Sequence, residues 1–196
     1  MVTVVVTPSI VARTESRQVT LRQWAALGLS TIVVVQDPAL PIGHRSQTLT
    51  AQAALRRGLG TGADVIIYAE DDIDLDPRIM RVLPALPGRS PVSLWHRPRF
   101  APKTPPPRGL DQIVITRAVS SSRWWGAQCV VLTRDQAARL AAGDCGPGGI
   151  DRGLRTGPMR ITIPPLVGHR RLPRAASTGT HVDCTGYEGP RSTHAY

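Results

Sequence analysis

Lysine is nearly missing from this chain. Its 196 residues hold one, Lys103, so arginine supplies almost all of a formal net charge of +10. Phosphatases that use an aspartate nucleophile keep a lysine beside the phosphate. A single lysine in the Pro-rich loop Pro98–Arg108 argues against that class. Cysteine is scarce too: Cys129, Cys145 and Cys184 are odd in number and irregularly spaced. That excludes a disulfide framework and points to reduced thiols in a cytoplasm. Nor do His181, Cys184 and Cys145 show a zinc-ligand spacing. Aromatic residues make up 4% of the chain. No apolar run approaches the ~20 residues of a membrane span. The N-terminus runs from Met1 straight into a strand without a basic leader, so no secretory signal is expected. Internal repeats are absent.

A chain of this length fits one domain with a real core. Its arginine comes with abundant alanine, glycine and proline, the bias of a GC-rich genome. The excess still creates a field that attracts polyanions.

The chain is organised around Ala63–Pro77. Val65–Tyr68 is a short β-branched and aromatic run, as expected of a strand buried on both faces. Five carboxylates follow within seven residues: Glu70, Asp71, Asp72, Asp74 and Asp76. Such a cluster repels itself unless something positive joins it. Oxygen ligands at this density suit Mg2+ or Mn2+, which take substrate phosphates as further ligands. An EF-hand is excluded, because counting from Asp72 its glycine and glutamate places hold Pro77 and Leu83. Asp74 and Asp76 read as a solvated turn ahead of a short helix from Pro77 to about Leu83.

The rest of the chain gives an alternating pattern. Thr3–Val6 is a strand ended by Thr7-Pro8-Ser9. A helix runs from about Thr14 to Leu27 with Leu21, Trp24 and Ala25 on one face. Thr31–Val35 is the second strand. Ser46 is expected to cap a helix to about Arg57, ended by Gly58. This order implies an α/β fold with a mostly parallel sheet and helices on both faces. Ligands of such sheets bind beyond the carboxyl ends of the strands, here Thr7–Ser9, Gln36–Pro38 and Glu70–Asp72. Further strands are expected at Pro91–Trp95, Ile113–Thr116, Ala127–Leu132 and Ile161–Ile163. Thr133 and Gln136 form a capping box for a helix to Ala142, stopped by Gly143. Beyond Arg170 no regular core is expected.

With these residues in place the chain resembles a small glycosyltransferase of the GT-A (Rossmann-like) fold, of the processive and lipopolysaccharide types. The resemblance runs over about residues 2–178. It implies one catalytic domain, 1–176, with a nucleotide-sugar half to about 95, an acceptor half from 96, and a tail over 177–196. It implies a nucleotide-diphosphate sugar donor bound by Thr7, Pro8, Arg13, Asp37 and Asp71. Asp72, Glu70 and His169 are its implied metal ligands, with Mn2+ or Mg2+ as cofactor. Trp124, Trp125 and Gly126 fall on the acceptor-side segment. Asp151 stands where the family often has its acidic residue near the acceptor, and serves as the base. Pro165–His169, followed by Ser177, is similar to the family's closing segment. The chain departs from the family in having Glu70-Asp71-Asp72 for Asp-x-Asp, and it lacks the doubled acid-aromatic signature near Asp151.

The acceptor half is crowded with arginine: Arg97, Arg99, Arg108, Arg117, Arg123, Arg152, Arg155, Arg160, Arg170, Arg171 and Arg174. Diphosphate binding needs one or two, leaving a surplus for a polyanion. A modified base in DNA, as in bacteriophage enzymes that sugar-coat their genomes, is therefore one acceptor, flipped onto Trp124 or Trp125. A glycan, protein or small molecule is the other. The expected location is cytoplasmic, in a host cell if phage-encoded. Two further classes compete. A non-catalytic nucleic-acid-binding module explains the charge but not the acidic cluster, and a nucleotidyltransferase takes its paired carboxylates from two strands.

Overall fold

Successive residues of the central strands point to opposite faces, and both faces are apolar. That pattern forces a sheet with cover on each side. The computed structural model describes residues 1–41, 43–95, 113–115, 127–143, 145, 149–154 and 157–170. The first strands are β1 (Thr3–Ser9), β2 (Thr31–Val35) and β3 (Val65–Ala69), with β3 buried along its whole length. They are followed by β4 (Ile73–Leu75), β5 (Val92–Ser93), β6 (Val114–Ile115), β7 (Cys129–Thr133), β8 (Arg160–Ile163) and β9 (Val167–His169). Among the described residues the main sheet has seven strands in the order β2-β1-β3-β7-β5-β8-β6. Only β7 and β6 run against the other five. The small β4–β9 ribbon stands apart from it.

The helices are α1 (Thr14–Ala26), α2 (His44–Gly60), α3 (Ile79–Val82), α4 (Arg134–Ala142) and α5 (Gly149–Leu154). On one face Val4, Val6, Ile66 and Leu132 share a core with Leu55 of α2, Leu140 of α4 and Ile150 and Leu154 of α5. On the other, Val5, Ile67 and Val131 share one with Trp24 of α1 and Ile79 of α3. This is the single α/β arrangement expected from the sequence, a mostly parallel sheet with helices on both faces. Burying an aliphatic side chain contributes about 2 kcal/mol. With five buried residues, β3 is a firm base for the acidic turn that leaves its end.

Several details differ from the sequence expectation. Where a solvated turn was expected, Asp74 lies in strand β4 and Asp76 is buried against Arg78. The buried residues of α1 are Ser16, Thr20 and Trp24, while Ala25 is exposed and Leu21 half-buried. Its inward face is polar because it answers the backbone of the acidic turn rather than a greasy surface. Helix α2 starts two residues before Ser46, whose hydroxyl accepts from the Gly43 N–H at 3.1 Å, and it continues past Gly58 to Gly60. Gly58 is a packing residue: a Cβ there would lie 2.6 Å from Cγ1 of Val6. The strand β9 went unrecognised in the sequence, being three residues long with a glycine at its centre.

Helix α4 matches its expectation. Thr133 Oγ1 accepts from the Gln136 N–H at 3.4 Å, and Gln136 Oε1 accepts from the Thr133 N–H at 2.9 Å. Gly143 closes it at φ 117°, a left-handed conformation that suits glycine.

Candidate metal centre

The acidic turn leaves β3 at the carboxyl edge of the sheet and enters β4 at once. Its backbone is held from the side by α1. Ser16 Oγ donates to the Asp71 carbonyl at 3.0 Å, Thr20 Oγ1 to the carbonyls of Asp71 and Ile73 at 3.1 Å each. Gln23 Oε1 accepts from the Leu75 N–H at 2.9 Å. The spacing 16, 20, 23 places all three on one helical stripe. On the far side β9 pairs antiparallel with β4, so that His169 lies opposite Ile73, and the Arg170 N–H donates to the Asp72 carbonyl at 2.7 Å.

The five carboxylates separate by partner. Asp76 is taken by Arg78 at 2.6 Å, and Asp74 by Arg170 at 2.7 Å. Asp71 accepts from Ser9 Oγ and, at 3.0 Å, from Arg13 Nη1. The same Arg13 nitrogen donates to Asp72 Oδ2 at 3.1 Å. Glu70 and Asp72 remain, and they converge on His169. Its Nε2 lies 3.3 Å from Asp72 Oδ1 and 3.7 Å from Glu70 Oε2. One ligand atom from each of the three falls within 4.8 Å of the others.

Asp72 Oδ1 is the telling atom. The residue is 2% exposed, and this oxygen has no hydrogen-bond partner among the described residues. His169 Nε2 faces it at 3.3 Å and is its counter-charge when protonated. A buried carboxylate oxygen left in this way is costly unless a cation meets it. Two carboxylates and an imidazole form a donor set for a divalent cation such as Mg2+ or Mn2+. The three residues can therefore hold one.

In the metal-free site the imidazolium of His169 stands in for the cation. Burial alone would lower the His169 pKa, but the carboxylates of Asp72 and Glu70 overcome it and push it up to about 10. Burial alone would raise Asp72, yet His169, Arg13 and Arg170 bring it below its usual value. Asp71 is held above its usual value, chiefly by burial and despite Ser9 and Arg13.

These shifts set the pH dependence. An imidazole with a raised pKa stabilises the metal-free fold fully below its ordinary value of 6.5 and loses that contribution as pH climbs through about 10. Asp72, depressed, contributes above its ordinary 3.8 and loses it as pH falls through its folded value. Asp71 acts in the opposite sense, so its ionisation costs stability as pH rises past 3.8. In chelator, the melting temperature of wild type minus that of His169→Gln is expected to be largest near pH 6 and to shrink toward pH 10. A difference flat across that range would show that the imidazole is uncharged in the metal-free fold.

The other expected site residues divide. Thr7 is fully buried in β1 with its hydroxyl unpartnered among the described residues, and Pro8 pairs with Val34 across the β1–β2 ladder. Asp37 is exposed at the end of β2, where Oδ1 accepts from the Ala39 N–H at 2.9 Å. Thr7, Pro8, Arg13 and Asp37 all lie along the carboxyl ends of β1 and β2, next to the end of β3. Asp151 is half-buried in the first turn of α5. Trp124, Trp125, Gly126 and Ser177 lie outside the described residues. So do eight of the arginines of the acceptor half: Arg97, Arg99, Arg108, Arg117, Arg123, Arg155, Arg171 and Arg174. Of the three described, Arg152 is exposed, Arg160 donates to the carbonyls of Leu86 and Ser90, and Arg170 binds β4 and α1.

Ser16, Thr20, Gln23 and Arg170 were not anticipated from the sequence. The one available signal was the run of small polar residues four apart on α1. Among the described residues, no helix is long and apolar enough to cross a membrane.

Comparison with known proteins is sparse. No protein-family model and no curated protein matches the chain. Among solved structures it is similar to a glycosyltransferase involved in the glycosylation of the major capsid of PBCV-1, at 6% identity and TM-score 0.41. That match covers 71% of this chain and 64% of the other. It is also similar to the mannose-1-phosphate geranyltransferase of Thermus thermophilus, at 12% identity and TM-score 0.42, over 82% and 73% of the two chains. The chain thus spans less than two thirds of the first of these proteins. Both are transferases, and likeness of this degree identifies neither a family nor a reaction.

Proposed function

We propose that this protein is a metal-dependent glycosyltransferase that moves a sugar from a nucleotide-diphosphate sugar to an acceptor hydroxyl. The observation that carries the reading is Asp72 Oδ1: buried, without a hydrogen bond among the described residues, and facing Glu70 and His169 at the end of the central strand. Asp72, Glu70 and the neutral Nε2 of His169 would hold Mn2+ or Mg2+, which when bound supplies positive charge for the leaving diphosphate.

The remaining roles belong to the chain itself. Arg13 keeps Asp71 and Asp72 fixed through Nη1, and its quarter-exposed side chain leaves donors for a phosphate. Thr7 and Pro8 border the nucleotide, and Asp37 reads its ribose or base. Asp151 takes the proton of the acceptor hydroxyl. Trp124, Trp125 and Gly126 form the acceptor platform. For the acceptor, a modified base in DNA, suggested by the arginine surplus, stands beside a glycan, protein or small molecule. Two of the three described arginines of that half are already bound within the fold, which reduces the surplus.

A thermal-shift screen of UDP, GDP, ADP, CDP and their sugars, each with and without Mn2+, tests the reading. A metal-dependent rise with one nucleoside diphosphate is expected, since a ligand at about a hundred times its Kd adds ~2.7 kcal/mol. Stabilisation by duplex DNA alone, with no response to metal or nucleotide, would instead indicate a binding module. A preference for nucleoside triphosphates would indicate a nucleotidyltransferase.

A further inference from the structure

His169 reaches the candidate centre on a three-residue strand, and a strand so short does not hold itself in place. The next residue, Arg170, is unusually well anchored. Its guanidinium donates through Nε and Nη2 to Asp74 Oδ1 at 3.0 and 2.7 Å. Through Nη1 it reaches the Ser16 carbonyl and Oγ, both at 2.9 Å. Nη2 also meets Thr20 Oγ1 at 3.4 Å and the Ile73 carbonyl. Its backbone N–H is the one on the Asp72 carbonyl. One planar fork therefore joins three pieces of chain: the end of β9, the strand β4 that continues from Asp72, and the polar stripe of α1. Lysine offers no such fork, because its ammonium is a single point of contact.

We propose that Arg170 is the positioning residue of this centre: it seats the β9 segment on α1 and β4, and so holds His169 Nε2 against Asp72 and Glu70. The proposal rests on the reading of Glu70, Asp72 and His169 as a metal site. Arg170 acts through His169 and does not itself touch the cation. Outer residues that orient a ligand typically change metal affinity by about ten- to a hundredfold.

The test uses the full chain, with Mn2+ as probe and free Mn2+ followed by electron paramagnetic resonance. Arg170→Gln and Arg170→Lys are each expected to lose about tenfold or more in Mn2+ affinity. In a His169→Ala background the same changes are expected to cost nothing further, because a residue that acts through His169 is silent once His169 is gone. Amide exchange of residues 167–170 should quicken in Arg170→Gln, with β1 and β3 unchanged. Should that variant fail to fold, Asp74→Asn removes one partner at an exposed position and is expected to give a smaller change of the same kind. Unchanged Mn2+ affinity, or an equal loss with and without His169, would overturn the proposal. A wild type that takes no Mn2+ sinks the metal reading instead. The exchange experiment then still decides whether Arg170 seats His169, and unchanged exchange at 167–170 denies it.

Discussion

Asp72→Asn is expected to remove about a thousandfold or more of the turnover while leaving the fold intact. The magnitude comes from the role: a cation on a departing diphosphate supplies several kcal/mol of transition-state stabilisation, and ~4 kcal/mol is about a thousandfold in rate. The intact fold comes from the shape. Asparagine fills the same volume, its oxygen can still accept from Arg13, and its amide can face Glu70. The charge is what disappears, from an oxygen that is buried and has no other partner among the described residues. The measurement is nucleoside-diphosphate release from whichever sugar nucleotide the wild type selects, in chelator-treated buffer with Mn2+ restored, alongside circular dichroism. The metal-dependent thermal shift should vanish together with turnover. If the mutant keeps most of its activity, the acidic turn is not the catalytic centre.

How much of this site the sequence revealed depends on where each residue finds its partners. The run Val65–Tyr68 and the carboxylates behind it are local, and five buried residues in a row are a strong signal. The α4 cap is local too, since Thr133 and Gln136 satisfy one another within a single turn. Ser16, Thr20 and Gln23 were not legible because their partners sit in the acidic turn, and a helix with a polar inward face gives no apolar stripe. The strand β9 was hidden for a related reason: its pairing with β4 is long-range, and three residues show no alternation. His169 was named only through the family resemblance. What the resemblance left open was why the imidazole should face Asp72, and the β4–β9 ladder with Arg170 behind it gives the physical reason.

Asp151→Asn should lower the transfer rate by roughly a hundredfold or more, with donor binding nearly unchanged, if the reaction inverts the sugar. The residue stands in the first turn of α5, a short helix anchored by Ile150 and Leu154, which are 6% and 5% exposed. Those two side chains enter the same core as Tyr68 of β3, the strand that leads into Glu70, and α5 packs on α2 and α4. The Tyr68 phenol is held well above its usual pKa, first by burial and then by the charges of Glu70 and Asp151. Asn keeps the volume of Asp and its place in the helix but cannot take a proton. The loss should therefore appear in kcat rather than in the donor KM, and the Mn2+-dependent thermal shift should survive. Equal losses in donor affinity would move Asp151 to the nucleotide side, and an unchanged kcat would remove it from the chemistry.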